Sequence, residues 1–225
     1  GCDQLILIKK NKELDADLEF INSDGSYSGA CGNGTRCVAY LLSLENNKKK
    51  ITVWTSSGIL TSNILKKNLV ETILGKPKLN WKDIPLIKKQ ETKNLGIKIV
   101  DGMNNEYVGG TAVNVGNPHL VFFVKNINNF NLNIIGPELE NNKLFPERCN
   151  VTIAQVVEKN LIKVKVWERG AGLTKACGTA ACATAVAGNI NELTSKKTDI
   201  EFQSGRLSIF INEKNYIHMK GPVSE

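Results

Sequence analysis

One short segment occurs twice in this chain, and that duplication limits the folds available to it. Cys31-Gly32-Asn33-Gly34-Thr35-Arg36-Cys37-Val38-Ala39 aligns with Cys177-Gly178-Thr179-Ala180-Ala181-Cys182-Ala183-Thr184-Ala185, allowing one residue of slippage, and the copies stand 146 positions apart. Solenoid repeats recur every roughly 20–50 residues, so so long a period marks a duplicated lobe rather than a stacked array. In each copy a small-residue loop runs into a helix-like stretch of Ala, Val, Thr and Leu, and each helix is expected to start at a Cys. The surrounding sequence repeats the scheme. Strand-like runs fall at 5–10 and 17–21, read as a hairpin followed by the turn Asn22-Ser23-Asp24-Gly25, and again at 51–55, 58–65 and 69–74. In the second half they fall at 97–100, 111–115 and 120–124 around the turn Gly116-Asn117-Pro118-His119, then at 151–157 and 161–167 as a hairpin, and at 199–203, 206–211 and 216–220. Gly75-Lys76-Pro77 through Pro85 reads as the linker.

A cysteine at a helix start has particular chemistry. The helix dipole favours its thiolate, and the free N–H groups of the same turn form an anion site that small neighbours leave open. Two facing lobes would set two thiols on either side of one pocket, with both sets of amides aimed at a carboxylate between them. One thiolate can then remove a proton from the carbon beside that carboxylate while the opposing thiol protonates the other face. The outcome is racemisation or epimerisation, and it requires no cofactor and no metal.

Other readings of the same residues are weaker. The loop Gly29-Ala30-Cys31-Gly32-Asn33-Gly34-Thr35 nearly matches a phosphate-binding loop, but Thr35 stands where the phosphate-binding Lys is needed. Zinc is disfavoured by C-x5-C and C-x4-C spacings and by only two His. Cys37 and Cys182 are expected to be small buried hydrophobes, and Cys2 and Cys149 carry no independent signal. The six Cys, with no signal-peptide pattern at the start, fit a reduced cytoplasmic protein. No apolar run approaches the ~20 residues of a membrane span.

The net charge of +7 invites a nucleic-acid reading, but it comes from 25 Lys against 4 Arg, the Lys scattered in ones and twos with Lys48-Lys49-Lys50 the longest run. A nucleic-acid footprint needs clustered positive charge interleaved with aromatics, so a solvated lysine surface accounts for it. The Arg residues are more informative in so lysine-rich a chain. Arg36, Arg148 and Arg169 sit in or beside Cys-containing motifs, where a planar fork does what an ammonium cannot.

Five ordered segments then carry a family resemblance: Asn22-Ser23-Asp24-Gly25-Ser26; Cys31-Gly32-Asn33-Gly34-Thr35-Arg36-Cys37; Gly116-Asn117-Pro118-His119; Pro146-Glu147-Arg148-Cys149-Asn150; and Trp167-Glu168-Arg169-Gly170-Ala171-Gly172 with Ala176-Cys177-Gly178. Together they resemble the diaminopimelate epimerases, in the family's order and over nearly the whole chain. The resemblance implies that Cys31 and Cys177 are the catalytic acid and base, and that the amides of Gly32, Asn33, Gly178 and Thr179 hold the carboxylate at the reacting centre. It further implies that Gln4, Asn22, Asn117, Asn150 and Arg169 contact substrate, with Arg169 the fork for the distal carboxylate and Glu168 on an ammonium. His119 and Glu168 are expected near the thiols, modulating their pKa.

The fold expected is α+β: two pseudo-symmetric lobes, 1–78 and 79–225, each a curved, mostly antiparallel sheet around a central helix, with the active site in the cleft between them. Family members begin one strand earlier, on a Gly-Asn-Asp-Phe segment, and end one strand later, so the chain reads as a piece whose first lobe lacks both. A homodimer is the assembly the resemblance points to, with diaminopimelate as the small-molecule partner. Two rivals stay open: another two-thiol racemase of proline or histidine type, and a catalytically silent binding or redox-sensing module.

Overall fold

The computed structural model describes residues 4–22, 25–29 and 31–223. Cys2, Ser23 and Asp24 of the expected turn, and Ala30 of the loop before the first helix lie outside the described residues. The first series of elements is β1 (Gln4–Lys9), β2 (Ala16–Asn22), β3 (Tyr27–Ser28), helix α1 (Gly32–Asn46), β4 (Lys50–Thr55), β5 (Gly58–Lys66) and β6 (Leu69–Ile73). A connecting region holds a separate hairpin, β7 (Ile97–Val100) with β8 (Glu106–Gly109), followed by β9 (Thr111–Asn114), β10 (Pro118–Phe123) and helix α2 (Leu132–Glu140). The second series is β11 (Asn150–Glu158), β12 (Leu161–Glu168), β13 (Gly172–Thr174), helix α3 (Gly178–Ile190), β14 (Lys197–Phe202), β15 (Gly205–Ile211) and β16 (Ile217–Pro222).

The two series share one topology. β1 and β2 pair antiparallel, β2 carries the short β3, and β2 pairs in parallel with β4 beyond the helix. β11 and β12 pair antiparallel, β12 carries the short β13, and β12 pairs in parallel with β14 beyond its helix. Each series then closes as an antiparallel meander. β6 and β16 pair antiparallel, from Leu69 opposite Pro222 to Ile73 opposite His218. One sheet therefore runs β1-β2-β4-β5-β6-β16-β15-β14-β12-β11-β10-β9. The duplication seen in the Cys-Gly segments is thus a duplication of the whole strand–helix–strand unit, in a mixed, mostly antiparallel α+β fold.

Alternating side chains explain how the sheet covers the helices. β4 reads exposed-buried along Lys50–Thr55, with Ile51 and Val53 facing the helix, and β14 alternates in the same way through Thr198, Ile200 and Phe202. α3 is apolar on all sides and buried continuously from Gly178 to Gly188, as expected of a helix enclosed by sheet. α1 is covered on one face only. Val38, Ala39, Tyr40 and Leu42 pack inward, while Leu41 and Leu44 are 46% and 59% exposed. Cys37 lies one helical step from those two, on the same outer stripe, and is exposed rather than buried as its Val-Ala context had led us to expect. Cys182 is fully buried, as expected.

Several elements escaped the sequence. α2 carries Gly136 and Pro137 in an Asn-rich stretch, but Asn131 caps it by accepting from Asn133 N–H at 3.1 Å. The anticipated turn at 116–119 is tighter, because Pro118 and His119 already belong to β10 and pair with Asn114 and Val113. The segment 75–85 is anchored rather than loose: Lys78 bridges to Asn114 and Ile84 is fully buried. Among the described residues no helix is long and apolar enough to cross a membrane.

Candidate active site: two capping thiols on abutting helix starts

Cys31 is the N-cap of α1 and Cys177 the N-cap of α3, both in extended backbone, with φ of −138° and −141°. N-caps are usually hydroxyl or carboxamide residues that accept from a first-turn N–H. Here a sulfur takes that place, and Cys31 Sγ accepts from Gly34 N–H at 3.3 Å. The two helix starts nearly touch. A Cβ on Gly32 would lie 3.4 Å from Gly178 Cα and 2.8 Å from Met219 Cε, and a Cβ on Gly178 would lie 3.2 Å from both Gly32 Cα and Asn33 Oδ1. Glycine at both positions is therefore what lets the two N-termini approach. Gly32, Asn33, Gly178 and Thr179 supply first-turn N–H groups, which have no acceptor inside their own helices.

The two thiols differ. Cys177 is 6% exposed and donates to Glu168 Oε2 at 3.0 Å, with Thr179 Oγ1 at 3.4 Å. Its thiol is pushed well above the ordinary value, first by burial and then by the Glu168 carboxylate. Cys31 is only half-buried, and its pKa is raised mainly by burial, against which the Gly34 N–H works. The helix-dipole argument had favoured thiolate at both; in the structure desolvation outweighs it.

The expected substrate-contacting residues fall into two further groups. Gln4 stands opposite Asn22 at the ends of β1 and β2, and its Nε2 donates to Asn22 Oδ1 at 3.0 Å. Asn150 is buried where β11 pairs with His119 of β10. Its Nδ2 donates to Pro118 O at 3.0 Å and its Oδ1 accepts from Arg169 N–H at 3.0 Å, so it fastens the Glu168-Arg169 corner to the 116–119 turn. His119 is fully buried, with Nε2 2.8 Å from Asn117 Oδ1. Burial, helped by the Arg169 charge, lowers its pKa from 6.5 to about 3, so it is neutral. The thiol in direct contact with a pKa-modulating partner is Cys177, through Glu168; among the described residues no hydrogen bond joins His119 to either sulfur. Arg169 is half-buried and spends Nη1 on Glu147 O at 2.8 Å. The turn reaches the first helix too: a Cβ on Gly29, just before Cys31, would lie 3.6 Å from Gly116 O.

Glu140 was missed. Its buried carboxylate accepts from Arg148 Nη1 at 3.0 Å, Trp167 Nε1 at 2.7 Å and Gly170 N–H at 3.0 Å. It thereby pins both flanks of Glu168-Arg169 and the turn leading to Asn150, with Arg148 in left-handed backbone at φ 62°. Nothing in its Pro-Glu-Leu-Glu context distinguishes it from a surface acid. Arg148 binds a carboxylate through Nη1 alone, without the two-pronged contact the fork argument anticipated, and that carboxylate belongs to the protein. Among the described residues no group of three or more His, Cys, Asp or Glu could hold a metal ion.

Comparison with known proteins gives this chain a family. The chain is 67% identical over 225 residues to a diaminopimelate epimerase of Pelagibacter ubique, covering all of this chain and 82% of the relative. It is 41% identical over 224 residues to a diaminopimelate epimerase of Acidiphilium cryptum, covering all of this chain and 79% of that one. Among solved structures, one described as a predicted epimerase from Pseudomonas aeruginosa superposes with a TM-score of 0.72 at 13% identity, covering 98% of this chain and 80% of that one, a likeness of fold. The family model for diaminopimelate epimerase matches residues 1–80 and 111–225. On this match and these identities, the chain belongs to the diaminopimelate epimerase family.

Proposed function

We propose that the chain interconverts LL- and meso-2,6-diaminopimelate without a cofactor, a step toward lysine and peptidoglycan precursors, in the cytoplasm. The observation that carries the reading is the pair of N-capping thiols on two helices that abut through Gly32 and Gly178. A carboxylate seated on the four first-turn amides places its α-carbon between the sulfurs. Cys31, as thiolate, takes the α-proton; the electron pair is held beside the carboxylate, facing the N–H groups; Cys177 gives its proton to the opposite face and is left as thiolate. Reversal exchanges the roles. Burial and Glu168 keep Cys177 a thiol, which supports it as the donor in the direction that starts from Cys31 thiolate.

Substrate choice follows from the second group. Arg169 keeps donors beyond the one bonded to Glu147, and a distal carboxylate is what they fit. Asn22, Gln4 and Asn117 line up as neutral partners for the remaining polar groups, and Glu168 for an ammonium. The five described Cys are free, which supports a reducing compartment. The test is α-proton exchange by the reduced protein in deuterated water, offering LL- and meso-diaminopimelate with proline and histidine as controls. Deuterium entering diaminopimelate alone establishes reaction and substrate together. Exchange into proline or histidine instead contradicts the substrate assignment, and no exchange at all contradicts the activity.

A further inference from the structure

Arg36 is the one Cys-Gly neighbour whose role is still unaccounted for. It is 5% exposed, on the inner face of α1. Its Nη2 donates to Asn33 Oδ1 at 3.0 Å, Nη1 points at Met219 Sδ at 3.3 Å, and buried Nε has no hydrogen-bond partner among the described residues. No Asp or Glu among the described residues forms an ion pair with it. Its plane lies against β16, where a Cβ on Gly221 would come within 3.1 Å of Arg36 Cζ. Met219, which it touches, is the residue on which Gly32 and Gly178 both pack.

A buried guanidinium without a counter-anion is strongly unfavourable, and Arg, unlike Lys, cannot escape by losing its proton. The duplication sharpens the anomaly. Counted from the capping cysteine, the position of Arg36 in the first series is filled in the second by Cys182, buried and uncharged by design of its apolar surroundings. One cation therefore lies behind two abutting helix N-termini, where anions gather.

We propose that Arg36 is a positioning residue of the proton-transfer site: its guanidinium, without an ion-pair partner among the described residues, fixes Asn33 against the opposing helix start and supplies the permanent positive charge whose counter-anions are the Cys31 thiolate and the substrate carboxylate. The inference rests on reading Cys31 as one of the two acid/base groups. The groups that bear on Cys31 are Gly34 N–H, Arg36 and Cys37 from α1 and Glu168 from β12; Cys37, Cys182 and Cys31 in turn bear on Arg36. Of the charged ones, Glu168 opposes the Cys31 thiolate and Arg36 favours it.

The test compares Arg36→Met and Arg36→Lys by three readouts: heat stability, kcat and KM for LL-diaminopimelate, and the pH midpoint of Cys31 alkylation followed on its own peptide by mass spectrometry. Arg36→Met removes a buried charge, so it should be at least as heat-stable as the parent. It should lose about 100-fold in kcat/KM, and its Cys31 midpoint should rise by about one pH unit. Arg36→Lys loses the fork to Asn33 and keeps the charge only while its buried ammonium stays protonated; its midpoint should lie between those of the parent and Arg36→Met, with a loss of about tenfold that appears mainly in KM. A stable Arg36→Met with the parental midpoint and kcat/KM overturns the proposal. So does an Arg36→Met that loses activity only in step with lost heat stability. If Arg36→Met does not fold, Arg36→Gln, neutral and still polar, decides: a folded Arg36→Gln with the parental midpoint and kcat/KM overturns the proposal. Alkylation reads the Arg36–Cys31 coupling whether or not the protein turns over, so a failure of the two-thiol reading, seen as activity surviving Cys31→Ala, is a separate result.

Discussion

The two series of strands and helix are built on one plan yet give their capping cysteines different surroundings. At the end of β2, before the short strand and the first helix, stands Asn22; at the end of β12, in the same topological place, stands Glu168. The carboxylate accepts from Cys177, whereas the carboxamide is held by Gln4 and by Ser26. α3 is enclosed on all sides and α1 on one, so Cys177 is desolvated and Cys31 half-open. Duplication supplied two thiols; divergence of what flanks them made one a stronger proton holder. The difference favours Cys177 as the acid in one direction, and reversal must work against it.

The comparison can be broken most severely at the sulfurs. Cys31→Ala and Cys177→Ala should each lower epimerisation by about 1,000-fold or more, since each removes one partner of a two-sided proton transfer; activity left in either variant would show that a single thiol suffices. Glu140→Ala comes next. It takes the acceptor from Trp167 Nε1 and from Gly170 N–H, while the half-exposed Arg148 can turn to water, which should cost about 1–3 kcal/mol in chemical denaturation. A loss under about 1 kcal/mol would mean that water replaces the carboxylate without penalty.

Gly178→Ala probes the approach of the halves. Its methyl would meet Met219 Sδ at 3.1 Å, with Asn33 Oδ1 and Gly32 Cα at 3.2 Å, one of them backbone, so about 1–3 kcal/mol of stability should be lost. An undiminished melting transition in Gly178→Ala would refute the close contact.

The last effect is absent near neutral pH and accumulates only on acidification. His119 has a folded pKa of about 3 against 6.5, so between those values the unfolded chain binds a proton that the folded one refuses. Its contribution to stability is complete above pH 6.5, falls as the pH drops below that, and levels off near 3. The slope should approach about 1.4 kcal/mol per pH unit, and His119→Gln should flatten it.

Much of this was legible beforehand where the local pattern was strong. The hairpin at 5–21, the meander at 51–74 and the Cys-capped helices combine alternation, turn residues and small-residue loops in agreement. α2 was not, because Gly136 and Pro137 argue against a helix; Gly136 is there because a Cβ would lie 2.5 Å from the Trp167 ring. Cys37 was misplaced because apolar neighbours in sequence do not say which stripe of a helix is covered. Glu140 and the bare guanidinium of Arg36 could not be seen at all, since each is defined by partners from distant strands or by their absence. The site's cysteines announced themselves by repetition, but what sets them apart from each other is tertiary.

The central claim is that two thiols work from opposite faces with unequal protonation, and the stereochemical fate of hydrogen tests it most directly. LL-diaminopimelate would be turned over in deuterated water and sampled at early conversion, with substrate and product examined separately. The account predicts meso product carrying one solvent deuterium at the inverted carbon, with recovered LL substrate still protonated, because the abstracted proton stays on one sulfur while the other delivers deuterium. Product that retains the substrate's own hydrogen, or deuterium appearing equally in recovered substrate and product, would mean one shared base and would contradict it.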